Sequence, residues 1–404
     1  MPALELSLFR LRDFRALAAF VVFNSVGMMG ENVVLGWLVL ELTNSPLMVG
    51  VALGMRMLPL FFVGVPAGAL ADRWPRHRLL LATGAGQGVT AAALGVLTLT
   101  GRVTLAQILL LTLLAGALRA VEHAARQSYT HDVVGGAALV KGFAVLGMVM
   151  RVGWLAGSLG AGAVIARLGT GPAYFVVAAG FLVGGLMLAR ASAPAPTVST
   201  DPGPLWRSVA DFFAAMRTDR TLVILMVLTA GGEILGFSHA VLLPSLARDV
   251  LQVGPEGLGV LNAARSVGGI LGLVVASLRR PVEGAGALFL AVLLTFGMSL
   301  VGLAVAPHVV GFGGVVVMVT LVNSVGALAD LFAQSLLQLS VPRHLRGRAG
   351  GAWVVAVGLA PLGQLQIGAL ASAFGVSVGF AASGLALAVL ALATAVLAPR
   401  ARRL

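Results

Sequence analysis

The feature that most constrains this chain is a series of apolar runs, each about 20 residues long, the length a helix needs to cross the hydrocarbon core of a bilayer. Twelve such runs are predicted, at roughly 16–40, 47–70, 79–100, 104–124, 138–165, 172–190, 221–246, 256–278, 285–306, 309–335, 350–373 and 376–398. Backbone polar groups in lipid must be satisfied within the segment, so each run is expected to be a helix. Composition agrees. Only 10% of the 404 residues are charged and 59% are apolar, whereas a soluble domain carries about 25% charged residues. The 53 glycines suit helices that approach closely within a membrane. Without cysteine, disulfide and thiol chemistry are excluded, and the redox compartment cannot be read.

The distribution of cations sets an orientation. With the N-terminus inside, one set of loops carries Arg10, Arg12 and Arg15; Arg73, Arg76 and Arg78; Arg126 and Lys141; Arg190, Arg207, Arg217 and Arg220; Arg279 and Arg280; Arg343, Arg346 and Arg348; and Arg400, Arg402 and Arg403. The opposite set carries Arg102, Arg167 and Arg248. Both termini are therefore expected in the cytoplasm, with the chain integral to the cytoplasmic membrane. The net charge of +12 follows from this topology, so nucleic acid is not expected as a partner. The amphipathic start, Met1 to Arg15, does not read as a cleavable signal peptide.

The longest polar stretch joins the sixth and seventh runs. Ala193-Pro194-Ala195-Pro196 and Asp201-Pro202-Gly203-Pro204 break structure there. Leu205, Val209, Phe212, Phe213 and Met216 then share one helical face, either as a helix on the membrane surface or as a solvated linker helix. The expected organisation is a six-helix bundle at 1–190, a linker at 191–220, and a second six-helix bundle at 221–404.

The two halves also match each other. Gly30-Glu31 returns as Gly232-Glu233, Gly50 and Arg56 as Gly259 and Arg265, and Gln127-Ser128 as Gln334-Ser335. Gly157 and Gly162 return as Gly363 and Gly368, and Leu168-Gly169 as Phe374-Gly375. The common order and the offset of about 202–209 residues indicate a parallel duplication of six spans. Duplications of this kind place a substrate cavity between the halves near midplane.

Gly68-Ala69-Leu70-Ala71-Asp72-Arg73-Trp74-Pro75-Arg76-His77-Arg78 resembles the signature that follows the second span in the major facilitator superfamily. Arg15, the run Leu40 to Pro46, Pro59, and Val341-Pro342 with Arg346-Gly347-Arg348 resemble the branch of enterobactin exporters and macrolide-efflux proteins. The resemblance implies an all-α fold of twelve helices in two bundles, and export. It also implies that Asp72 stabilises an outward-open state. Gly153, Gly157, Ser158, Ala161 and Gly162 resemble the exporter signature of the fifth span, with Ser158 where that signature has Pro. The same residues also read as a small-residue packing face. In the second half, Arg279-Arg280 remain but the acidic residue of the loop signature is missing.

An ionisable side chain at midmembrane costs about 2.5–3.5 kcal/mol on insertion scales, so it needs a partner, water or a function. The candidates are Glu31, Arg56, Arg151, Glu233, Arg265 and Asp330, with Arg119 and Glu122 nearer the end of the fourth span. Glu31 and Glu233, equivalent by the repeat, are candidates for substrate or proton handling, or for structural ion pairs with Arg56, Arg265 or Arg151. Arg56 is placed either to neutralise Glu31 or to attract an anionic part of a substrate. Asp330 reads first as a gate or loop contact. Gly68, Asp72, Arg73, Arg76 and Arg78 form the conformational loop motif, in which positive-inside anchoring suffices for Arg76 and Arg78. Met28, Met29, Met55, Met57, Met148 and Met150 suit an adaptable cavity lining or ordinary core contacts.

Glu122-His123 with His131-Asp132 fits no standard metal spacing. Gly135-Gly136 is expected to be a loop, and no Walker sequence is present. No cofactor, metal or enzymatic constellation is therefore expected. The function expected is secondary transport by a monomer, powered by a proton gradient. It would export small amphipathic, drug-like or siderophore-like compounds. Nutrient uptake and lipid flipping or scrambling are the alternatives.

Overall fold

The computed structural model describes residues 8–191, 220–278, 284–339, 356–398 and 402, with side chains undescribed at 61, 63–69, 71, 72, 137 and 140. The described residues form helices α1 (Arg12–Thr43), α2 (Pro46–Arg73) and α3 (Arg76–Leu99). A helical tract, Leu105–Leu168, then divides into α4 (Leu105–Gly136) and α5 (Lys141–Leu168). Next come α6 (Thr170–Leu188), α7 (Arg220–Val250), α8 (Gly254–Leu278), α9 (Ala285–Val309), α10 (Gly311–Leu339), α11 (Ala356–Phe374) and α12 (Val376–Leu397). Among the described residues, 11 helices are long and apolar enough to cross a membrane. The twelfth is α2, whose Pro46–Leu60 is apolar. Leu110 and Val317 are 67% and 69% exposed, as lipid-facing side chains are.

The predicted runs coincide with these helices, with one correction. The fourth run was expected to end near 124 and to be followed by a loop at Gly135-Gly136, yet helix continues to Gly136. The polar residues that looked like loop bond to one another along one helix face. Arg126 Nε donates to Glu122 Oε1 at 2.8 Å, and Gln127 Nε2 lies 2.7 Å from His123 Nε2. The break is confined to Gly135, at φ 70 and ψ 166, a region open essentially to glycine alone. The linker helix at 205–217, Arg279-Arg280, and the Val341-Pro342 to Arg348 segment lie outside the described residues.

The chain falls into two compact units. The first contains Met1–Leu42, Met55–Asp201 and Gly254–Ala263, and the second Thr43–Gly54, Pro202–Val253 and Ala264–Leu404. The N-terminal segments of α2 and α8 thus belong to the opposite unit from the rest of their helices.

Within each unit the same packing recurs. In the first, α3 packs against α4 and α6; in the second, α9 packs against α10 and α12. Gly157 of α5 sits directly on the Val26 carbonyl of α1, and its repeat partner Gly363 of α11 sits on the Ile234 carbonyl of α7. Gly162 faces Pro255 and Gly259 at the start of α8, and Gly368 faces Pro46 and Leu47 at the start of α2. At each place a Cβ would meet backbone, so the repeated small residues are close-packing points. Gly169 (φ 87, ψ 177) and Gly375 (φ 92, ψ 161) end α5 and α11 in the same backbone conformation. The duplication seen in the sequence is therefore carried into helix order, contact points and caps.

Candidate functional site

Arg56, Arg119, Arg151 and Arg265 are the cations expected within the spans. Their surroundings differ. Arg56 Nη2 lies 2.7 Å from Glu31 Oε2, with the side chains 5% and 4% exposed. The same nitrogen reaches the Met28 carbonyl at 3.4 Å, while the buried Nη1 has no hydrogen-bond partner. The pair forms because α1 and α2 bring Glu31 and Arg56 to one level. Gly116 of α4 is set against the Arg56 carbonyl, so α4 approaches α2 at that point. Arg119, three residues further along α4, is half-buried and within electrostatic reach of Arg56, Glu122 and Glu31. Tyr174 of α6 is fully buried with no partner for its hydroxyl, in the field of Glu31 and Arg56.

Arg151 is half-buried, and its guanidinium carbon lies 5.8 Å from the Trp154 ring centroid. This is a cation–π contact along α5. Ser158, where the exporter signature has Pro, is buried and donates to the Leu155 carbonyl at 3.0 Å, and α5 runs on to Leu168.

The second unit does not repeat the Glu31–Arg56 pair. Among the described residues no ion pair joins Glu233 to Arg265. Glu233 instead faces a small cavity of about 10 Å³, room for about one water, lined by Leu228, Thr229, Phe237, Leu293 and Asp330 among others. Asp330 is held by Gln334, whose Nε2 donates to both carboxylate oxygens at 3.3 Å. Asp330 thus lines the same cavity as Glu233.

The backbone of the two segments differs as well. Where α1 is regular, α7 widens into a π turn at Gly232–Gly236 and tightens into a 3₁₀ turn at Phe237–Leu242. Gly231, Gly232 and Gly236 allow this, and Ser238 Oγ donates to the Glu233 carbonyl at 3.2 Å. Such irregular turns are frequent at functional sites.

The irregular segment carries His239, which the sequence analysis did not single out. It is fully buried, with Nδ1 2.8 Å from the Gly236 carbonyl and Nε2 3.3 Å from Asn323 Nδ2. The Asn323 amide also donates to the Val319 carbonyl at 2.9 Å, and Arg265 acts on the imidazole electrostatically. A histidine in an apolar run was the available signal.

In the loop motif, the side chains of Gly68 and Asp72 lie outside the described residues, while Arg73 and Arg78 are exposed. Arg76 is more than an anchor: its Nη1 lies 2.5 Å from Asp132 Oδ1, with side chains 9% and 4% exposed. The adjacent His77 Nε2 lies 3.0 Å from the Leu188 carbonyl and its ring 6.0 Å from that of Tyr129. Arg126 Nη2 lies 3.3 Å from His123 Nδ1. Glu122, His123 and Asp132, raised as metal ligands, are thus engaged by Arg126, Gln127 and Arg76.

Comparison with known proteins places these features. The chain is 24% identical over 375 residues to the staphyloferrin A transporter of Staphylococcus aureus, covering 91% of each. It is 28% identical over 386 residues to the multidrug efflux pump Tap of Mycolicibacterium fortuitum, again covering 91% of each. It is 28% identical over 373 residues to the enterobactin exporter EntS of Escherichia coli, covering 90% of this chain and 87% of that one. The nucleoside transporter NupG superposes with a TM-score of 0.80 at 12% identity over 96% of this chain and 100% of its own. The peptide transporter POT superposes with a TM-score of 0.76 at 15% identity over 97% and 95%. Residues 4–402 match the family described as transmembrane secretion effector, and the chain therefore belongs to that family of major facilitator transporters, which are not enzymes.

Proposed function

We propose that this transporter exports small amphipathic compounds in exchange for protons, by alternating access, across a cytoplasmic membrane with both termini on the cytoplasmic side. Relatives named for siderophore and multidrug export support the direction. The observation that carries the coupling is the unequal treatment of two carboxylates related by the repeat. Glu31 is engaged by Arg56 at 2.7 Å. Glu233 has no ion pair among the described residues and shares a largely apolar chamber with Asp330. A carboxyl group in such a place changes charge by taking up or releasing a proton, and that change alters its cost in a low-dielectric site. Glu233 is thus the proton-handling group, Asp330 and Gln334 its neighbours, and the Glu31–Arg56 pair the fixed counterpart. Arg265 and Arg151 supply further cations for substrate or for the transition between states.

The test is dye movement in proteoliposomes with an imposed pH gradient, using fluorescein and rhodamine 6G as anionic and cationic amphipathic probes. Movement should follow the gradient and should fall at least tenfold in Glu233→Gln. Dye movement unchanged both by collapsing the gradient and by Glu233→Gln would reject proton coupling.

A further inference from the structure

We infer that Arg119 and the unpartnered Nη1 of the Arg56 guanidinium form a binding site for the anionic group of the transported compound, a carboxylate or phenolate. The inference rests on the export reading above and names the substrate class for it.

Arg56, Arg119 and Arg126 lie along α2 and α4, and among the described residues Glu31 and Glu122 are the carboxylates that act on Arg119. Both carboxylates are already engaged. Glu31 Oε2 accepts from Arg56 at 2.7 Å, and Glu122 Oε1 accepts from Arg126 at 2.8 Å. No hydrogen bond or ion pair reaches Arg119 among the described residues. The cluster therefore carries one positive charge in excess, within helices that cross the membrane. Such a charge is retained where it has a function.

Geometry gives the excess a location. The close contact of Gly116 with the Arg56 carbonyl brings α4 to α2 one turn before Arg119. The strongest charged influence on Arg119 is Arg56.

The donors are also unfilled. Arg56 is 5% exposed at its side chain, yet its Nη1 has no partner among the described residues. Guanidinium donors in a fixed plane match a carboxylate in two-pronged fashion. Arg119 is half-buried. The Tyr174 hydroxyl, buried without a partner in the field of the same ion pair, is a third unfilled donor.

The experiment uses the full chain in detergent and follows fluorescein binding by anisotropy, with rhodamine 6G as the cationic xanthene of similar size and empty micelles subtracted. Fluorescein should bind at least tenfold more tightly than rhodamine 6G. Benzoate should displace it and benzamide should not. Arg119→Gln should weaken fluorescein at least tenfold and Arg119→Lys less. Where Arg119→Gln does not fold, as judged by gel filtration, the benzoate and benzamide comparison on the unaltered chain decides. Equal binding of the two dyes, or equal displacement by benzoate and benzamide, overturns the site. Displacement by short-chain phosphatidylglycerol but not by benzoate also overturns it, because a lipid headgroup is then the occupant. Gradient-driven movement of rhodamine 6G without fluorescein binding removes the anion site and leaves export standing. Fluorescein binding without movement of either dye does the reverse.

Discussion

Arg56 and Glu31 meet at 2.7 Å with side chains 5% and 4% exposed, whereas Arg265 and Glu233, their equivalents by the repeat, form no ion pair among the described residues. Duplication supplied each half with the same two charges, and among the described residues only the first half joins them directly. Removing one member of a buried pair strands the other and costs about 3–5 kcal/mol, while removing both is far milder. Glu31→Gln should therefore lower the apparent unfolding temperature in detergent strongly. The double variant Glu31→Gln with Arg56→Gln should recover more than half of the loss. Glu233→Gln should leave that temperature nearly unchanged, and the contrast is read by a single thermal series.

A second expectation concerns the α5–α1 contact. A Cβ at Gly157 would collide with the Val26 carbonyl, whereas Gly160 has nothing within 4 Å. Gly157→Val should separate the helices at an overpacking cost of about 1–3 kcal/mol and abolish transport. Gly160→Val should be tolerated in both assays.

The Arg76–Asp132 pair, at 2.5 Å, ties the start of α3 to the end of α4. Asp132→Asn should cost about 1.5–3 kcal/mol, the range for hydrogen bonds to charged groups. The exchanged variant, Arg76→Asp with Asp132→Arg, should restore most of the lost thermal stability. An exchange no better than the single change would show that the contact adds nothing to stability.

Gly135 should resist substitution for a backbone reason. At φ 70 and ψ 166, Gly135→Ala should cost about 1–3 kcal/mol, although nothing lies within 4 Å of a Cβ there. Gly136→Ala, whose nearest neighbour is 3.9 Å away, should be near neutral. Equal effects at the two positions would trace the sensitivity to packing instead.

The helices were legible because a bilayer demands runs of one length and one polarity, and the duplication because Gly30-Glu31 and Gly157 have partners at one offset. The end of α4 was not. Glu122, His123, Arg126 and Gln127 satisfy one another along the helix, so polarity there does not mean loop. Glu31 and Arg56 were legible as candidates, yet their pairing depends on the level at which α1 meets α2. The Asn323 contact of His239 spans 84 positions, and no local pattern announces it. The meaning of Arg119 lay in its neighbours, since only the assembled helices show that Glu31 and Glu122 are already engaged.

The absence of any side chain at Gly153 and Gly157 leaves α5 resting backbone to backbone on Val22 and Val26 of α1. Two rods in such intimate contact cannot slide past one another without losing it. The two glycines thus set the spacing of the rods, and whatever position α1 takes at this level, α5 keeps only by lying flush against it.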